Sequence, residues 1–378
     1  MPEKTDSAAA APPLRHLHAG ARSWHTHGDG YADHVHEEEE MTPGDMARLQ
    51  DTLWKLDNVE LTTVGIDIGS STSHIMFAAV HLQRMSESLS SKFVVVKREV
   101  LWRSPIMLTP YLPDSRIDAA ALGHFVHESY RAAGYERSAI DSGAIILTGE
   151  ALRRANSHAI ADLFADEAGK FVCATAGHNL EALMAAHGSG SVDLSRTSGQ
   201  IILNVDIGGG TTKLALIDHG EILQTAAVSV GGRLLARDAD GRLSRVERPA
   251  RHVAASLGIQ LEVGAELSAA DQQRIVKRLL ELLMSCIDNG QAAQDMMLTE
   301  PLRFGHHRPQ ALTFSGGVSE FIYERERGDY HDLGRDLAHE IVAAVSDGRI
   351  DLPVIDPGQG IRATVIGASQ FSVQVSGN

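Results

Sequence analysis

Val64-Gly65-Ile66-Asp67-Ile68-Gly69-Ser70-Ser71-Thr72 and, later in the chain, Asn204-Val205-Asp206-Ile207-Gly208-Gly209-Gly210-Thr211-Thr212 are two copies of one design. Each is an apolar run that ends in Asp-Ile-Gly, passes through small and hydroxylated residues, and enters a second apolar run. The pattern predicts a β-hairpin whose turn carries an aspartate and a row of backbone N–H groups. Glycine lets a backbone approach an anion closely and take positive φ, and successive N–H groups in a tight turn form a concave anion site. The hydroxyls of Ser70, Ser71, Thr72, Thr211 and Thr212 add donors for phosphate oxygens. A bare carboxylate would repel phosphate, so Asp67 and Asp206 make sense with a divalent cation between them and a nucleotide. Mg²⁺ suits this, because one or two carboxylates plus phosphates and water complete its shell. Either turn alone also fits ordinary hairpin chemistry. Two in one chain suggest a nucleoside triphosphate gripped from both sides.

A third motif, Ala311-Leu312-Thr313-Phe314-Ser315-Gly316-Gly317-Val318-Ser319-Glu320, reads as a short strand, two glycines and a helix start. Glycines there let a flat ring lie against the backbone, although a strand-to-helix turn can need them for geometry alone. Phosphate hairpin, phosphate hairpin, then a Gly-Gly turn is an order that resembles the superfamily of actin, sugar kinases and heat-shock chaperone ATPases. That resemblance implies ATP as ligand, a duplicated actin-like (ribonuclease H-like) α/β fold with two lobes around a nucleotide cleft, and Ser315, Gly316, Gly317 and Val318 bordering the adenosine. No Gly-x-x-x-x-Gly-Lys-Ser/Thr occurs, and no Gly-x-Gly-x-x-Gly opens a helix after a strand, so neither a P-loop nor a dinucleotide-binding unit is present.

The surrounding pattern agrees. Strands are predicted over 62–68, 73–80 and 93–102, a helix over 117–133, strands over 143–147 and 171–174, and a small-residue helix over 179–187 closed by Gly188. A helical stretch follows Thr148-Gly149-Glu150. The second half opens the same way, with strands over 200–206, 213–218 and 221–230 and a tight His219-Gly220 turn. A loop-rich insertion containing Gly231-Gly232-Arg233 is predicted near 231–268, then helices over 269–288 and 333–345 and a strand before Ile366-Gly367-Ala368. Both halves therefore share a β-β-β-α-β-α order, and sheets covered by helices follow from it. The domain reading is a leader over 1–60, a first lobe over 61–199 and a second over 200–378. The small-residue stretches at 180–187 and 366–368 suit close contacts at a hinge, or ordinary close packing.

The 378 residues carry a formal net charge of −15. Residues 1–60 hold 5 Lys/Arg against 12 Asp/Glu, and the remainder is ordinary. An acidic chain without a basic stripe argues against nucleic-acid binding. No apolar run is long enough for a membrane helix, and no signal-peptide pattern opens the chain. Cys173 and Cys286 form no disulfide framework or CxxC pair; both read as buried small hydrophobes, which fits a reducing cytoplasm. Residues 1–43, with His16, His18, His25, His27, His34, His36 and an acidic run at 37–40, lack the apolar residues for a core and are expected to be disordered. A loose metal-binding tract is the alternative. Met46, Leu49, Leu53, Trp54 and Leu56 recur at helical spacing and are expected to pack. Phe371-Ser372-Val373-Gln374-Val375 starts a hairpin with no second strand, the pattern of a fragment or truncated product.

Beyond the superfamily, several phrases resemble the ethanolamine ammonia-lyase reactivating factor. They include Lys97-Arg98-Glu99, Ser104-Pro105, Asp141-Ser142-Gly143-Ala144-Ile145-Ile146-Leu147-Thr148-Gly149-Glu150, Ala176-Gly177, Val230-Gly231-Gly232-Arg233-Leu234-Leu235 and Ile361-Arg362-Ala363-Thr364-Val365-Ile366-Gly367-Ala368. The resemblance implies a chaperone that uses ATP and Mg²⁺ to open that lyase, release damaged cobalamin and admit intact adenosylcobalamin. It implies a cytoplasmic protein in association with a bacterial microcompartment. Asp67 and Asp206 would hold Mg²⁺ and orient the attacking water, with Gly69, Ser70, Ser71, Thr72, Gly208, Gly209, Gly210, Thr211 and Thr212 on the phosphates. Glu150 would position a water or, alternatively, act as a helix-start carboxylate. A small-molecule kinase and an actin-like filament protein are competing readings on the same fold. No motif specifies an oligomeric state.

Overall fold

The computed structural model describes residues 15–16, 25–26, 42, 44, 48, 54, 57–69, 72–84, 93–112, 116–147, 171–175, 177–288, 293–358, 360, 363–364 and 366. Two compact units divide the chain: Met1–Val59 with Gln83–Val94, and Glu60–Leu82 with Val95–Asn378. In the first, Arg15–His16 pairs antiparallel with His25–Thr26. Trp54, expected to pack, is 60% exposed there, and its carbonyl accepts a hydrogen bond from the Asn58 amide. The rest of the His-rich leader, the acidic run at 37–40, the remaining apolar stripe at 46–56, the stretch after Thr148 and residues 367–378 lie outside the described residues.

Two sheets carry the two hairpins. The first contains β1 (Asn58–Ile68), β2 (Thr72–Arg84), β3 (Phe93–Arg103), β4 (Met107–Leu108), β5 (Ser142–Leu147) and β6 (Phe171–Thr175), in the order β3-β2-β1-β5-β6 with β4 on β2. Helix α1 (Ala119–Ala133) links β4 to β5. It starts where the Asp118 carboxylate accepts the Ala121 N–H and stops at Gly134, whose φ of 75° a residue with a Cβ rarely takes. Its apolar face closes a core around Phe77, whose ring meets Trp102, Tyr130 and Tyr135.

The second sheet repeats this plan. Its strands are β7 (Ile202–Ile207), β8 (Thr212–Asp218) and β9 (Glu221–Val228). After the separate hairpin of β10 (Leu235–Arg237) and β11 (Leu243–Val246), β12 (Ala311–Ser315) completes the order β9-β8-β7-β12. In each sheet the hairpin's first strand lies inside, flanked by a later parallel strand: β5 beside β1 and β12 beside β7. The place of β6 is taken in the second sheet by a single parallel bridge from Val354 to Leu312. The strand expected just before Ile366 is not found among the described residues, where 363, 364 and 366 are helical. This is the duplicated actin-like α/β architecture. The two copies share topology while sharing little sequence outside the turns.

Helix α2 (His178–Ser189) joins the halves. It runs on to Gly190, two residues past the expected stop, where φ is 94° and an added Cβ would lie 2.8 Å from the Pro357 carbonyl oxygen. A further helix, α3 (Ser191–Ser198), follows at once. Leu180 and Met184 of α2 pack on Ala144 and Ile146 of β5, while Ala186 packs with Val192 on Ala215 and Ile217 of β8. One helix therefore contributes to the packing of both sheets. Ile366, from the second small-residue stretch, packs on Met76 and Ala78 of β2.

The insertion expected to be loop-rich contains β10, β11 and the helix α4 (Arg248–Ser256). Helix α5 (Ala269–Ile287), capped by Ser268, packs its apolar face under the second sheet, with α6 (Ser319–Ile322) and α7 (Gly334–Ser346) completing that layer. Cys286 is buried in this core, as expected, and burial pushes its thiol up to about 11.

Candidate functional site

The two turns close identically. Gly69 N–H donates to the Thr72 carbonyl and Gly208 N–H to the Thr211 carbonyl, each at 3.0 Å. Both turns are also held from behind by a segment downstream of the third strand of their own sheet, beyond β4 in the first and directly after β9 in the second. In the first, the Thr109 hydroxyl donates to the Gly69 carbonyl at 2.7 Å. In the second, Gly232 N–H donates to the Gly208 carbonyl at 3.0 Å and Arg233 N–H to the Gly209 carbonyl at 2.7 Å. Within a trans peptide, C=O and N–H point in opposite directions. Fixing the carbonyls of Gly208 and Gly209 on the loop side therefore aims the N–H groups of Gly209 and Gly210 the other way, which is what an anion cradle needs. The approach is so close that a Cβ on Gly231 would lie 2.4 Å from the Gly209 oxygen.

Asp67, Gly69 and Thr72 of the first turn line one cleft with Asp206, Gly208, Gly209, Gly210 and Thr211 of the second and with Gly316, Gly317 and Val318 of the third motif. The cleft lies within the second unit. Gly316 has φ of 82°, and a Cβ there would meet the Ile207 carbonyl oxygen at 2.4 Å, so the third motif is pressed against the strand that carries Asp206. Two expected site residues stand behind the cleft wall. Thr212 is buried and its hydroxyl donates to the Val230 carbonyl at 2.7 Å. Ser315 is buried and donates to Asp206 Oδ1 at 2.8 Å. Ser70, Ser71 and Glu150 lie outside the described residues.

The register explains the setting of Asp206. It faces Lys213 across the β7–β8 ladder and Ser315 across the parallel β7–β12 ladder. Ser315 is in turn held by the Asn204 amide at 3.2 Å, and the Asn204 oxygen accepts from Ser191 and Thr313, both at 3.0 Å. A buried polar chain thus runs from Asp206 to the α2–α3 junction. Burial pushes the Asp206 carboxyl up, partly offset by Lys213 and the Ser315 hydroxyl. For Lys213, burial opposes the charge, but Glu181, Asp206 and Asp67 outweigh it and hold the ammonium above the usual lysine range.

Lys213 and Glu181 were not singled out from sequence, nor were His74, Arg233 and Asp332, all of which line the cleft. Lys213 Nζ lies 2.5 Å from Glu181 Oε2. Arg233 pairs with Asp332 at 3.0 Å beneath the second turn. Burial pushes the Asp332 carboxyl up, offset by the Gly334 N–H and Arg233. Among the described residues no cluster of three or more His, Cys, Asp or Glu could hold a metal by itself. Two aspartates beside a phosphate cradle suit an ion whose shell is finished by phosphate and water. No described helix is long and apolar enough to cross a membrane.

The family model described as ethanolamine utilisation protein EutA matches residues 59–378. The chain belongs to this family. It is 36% identical over 326 residues to the ethanolamine ammonia-lyase reactivase EutA of Escherichia coli (strain K12), covering 84% of this chain and 69% of that protein. The protein of the same name from Salmonella typhimurium is 34% identical over the same shares. Among solved structures, the chain is weakly similar to the activator of the 2-hydroxyisocaproyl-CoA dehydratase from Clostridium difficile with bound ADPNP. The identity is 13%, covering 84% of this chain and 96% of that one, and the TM-score is 0.40; a likeness at that level carries no weight beside the topology itself. The EutA match takes in both hairpins and the third motif, so the cleft belongs to the part of the chain that is EutA-like.

Proposed function

We propose that this protein is an ATP-dependent reactivating chaperone of ethanolamine ammonia-lyase. It binds Mg·ATP between the two hairpins and uses that binding to loosen the lyase, release cobalamin that has lost its adenosyl group and let intact adenosylcobalamin enter. The observation that carries the reading is the meeting of two aspartate-bearing turns and a Gly-Gly turn in one cleft, in a chain of the EutA family. Asp67 and Asp206 would hold Mg²⁺, which neutralises phosphate charge and helps present the attacking water. The N–H groups of Gly209 and Gly210 would stabilise charge that develops on the phosphates. Gly316, Gly317 and Val318 would border the adenosine. The work is set in the bacterial cytoplasm, in association with a microcompartment.

The decisive test uses lyase inactivated with cyanocobalamin. Purified protein with ATP, Mg²⁺ and fresh adenosylcobalamin is expected to restore ammonia release, and omission of ATP to abolish the rescue. Lyase that stays inactive in the complete mixture, with a folded protein that binds ATP, removes the proposed function.

A further inference from the structure

Lys213 sits among three carboxylates, Glu181, Asp206 and Asp67. Its side chain is only 10% exposed and is paired at 2.5 Å with Glu181, whose side chain is 2% exposed. It faces Asp206 across the hairpin, and Asp67 also acts on it electrostatically. Glu181 belongs to α2, the helix that packs on β5 through Leu180 and Met184 and on β8 through Ala186. The imidazole of His178, one turn earlier, is 3.8 Å from the other Glu181 oxygen. A cleft-lining lysine and the helix shared by the two halves are thus joined by one buried ion pair.

We propose that Glu181 is a positioning residue that reports occupancy of the cleft to α2 by competing with the nucleotide for Lys213. The inference rests on the cleft's being the Mg·ATP site. When polyphosphate enters, the Lys213 ammonium, which borders the cleft, turns toward it. Glu181 is then left buried with less compensation, and a buried carboxylate that loses its cation is costly. The strain falls on the seat of α2, whereas the β7–β8 turn gains contacts. A ligand can shift a conformational equilibrium only by its differential affinity for the two states. Competition for one ammonium supplies that difference without any contact between nucleotide and helix.

The test is hydrogen–deuterium exchange of the full chain with and without Mg·ATP, together with ATP affinity measured by calorimetry. In the wild type, ATP should slow exchange in the β7–β8 turn and accelerate it in α2 by about tenfold, an ordinary size for coupling between sites. A purely structural ion pair would give slowing in both places. In Glu181→Gln the carboxylate on α2 no longer competes, so ATP should bind about fivefold to tenfold more tightly, and α2 should no longer respond. Glu181→Asp keeps the charge and should keep the response.

Slowed or unchanged α2 exchange in ATP-bound wild-type protein overturns this inference and leaves the ATP site standing. That arm decides whether or not the variants fold. Weaker ATP binding in a folded Glu181→Gln protein, or an α2 response like that of the wild type, overturns it equally. A wild-type protein that does not bind ATP removes the proposed function and this inference together.

Discussion

At Asp206, Ser315 and Lys213 flank one carboxylate from the two neighbouring strands. Because burial raises its pKa, the carboxyl holds its proton to higher pH than an ordinary aspartate, and wherever it is still protonated Mg²⁺ must displace that proton. The affinity for Mg·ATP is therefore expected to rise with pH from the ordinary aspartate range upward, with net proton release on binding. Calorimetry in buffers of different ionisation enthalpy would detect it, and pH-independent affinity would count against Asp206 as a ligand. Asp206→Ala should cut ATP turnover by about 100-fold or more, since a metal's charge stabilisation is worth several kcal/mol, while circular dichroism stays unchanged. Gly231→Ala would drive a Cβ into the Gly209 carbonyl. It should cost about 1–3 kcal/mol in a urea melt, the usual range for overpacking, and weaken ATP binding with it. Asp67, Asp206 and the glycines were legible because turn chemistry is written in consecutive residues. Lys213 and Glu181 were not, since a lysine in an apolar strand and a glutamate in a small-residue helix acquire meaning only when folding brings them together. Arg233 and Asp332, 99 residues apart, escaped for the same reason. Thr212 and Ser315, picked from the same turns, each sit beside a cleft-lining residue, and their hydroxyls are bonded to the protein behind the wall.

Among the elements, the loops after β3 and β9 gain a purpose that their sequences did not announce. Ser104-Pro105 stood out only as a phrase shared with a family, and Val230-Gly231-Gly232-Arg233-Leu234-Leu235 as such a phrase containing a turn. In the structure each begins the segment that braces its own sheet's turn, through Thr109 in one case and through Gly232 and Arg233 in the other. The longer strands of the sheets were foreseen within a few residues because apolar runs bounded by turn residues leave little choice, whereas the two-residue β4 was missed. The β10–β11 hairpin and α3 were missed: their runs are short, and tertiary contacts decide their form. Helix α2 depends on small residues to lie close to β8. Ala186→Leu is expected to force the two apart and lower stability by about 1–3 kcal/mol. Urea unfolding would measure the loss, and an unchanged midpoint would show that the helix is seated elsewhere.

Over the whole molecule, the C-terminal segment ties the third motif back to the first sheet. Thr364 lines the cleft and Ile366 packs on Met76 and Ala78. Ile366→Ala should lower stability by about 2 kcal/mol or more, as loss of a buried branched side chain does. It should weaken ATP binding as well, because the neighbouring wall loses its anchor; a thermal melt and a nucleotide titration of the same variant would separate the two effects. The duplication has a practical corollary through α2. One flank of that rod completes the interior of the N-terminal half and the other flank that of the C-terminal half. Any split gene, on either side of His178–Ser189, would give one product a bare apolar flank and the other an open interior. The halves look like copies, yet each is expected to need that helix to close its interior.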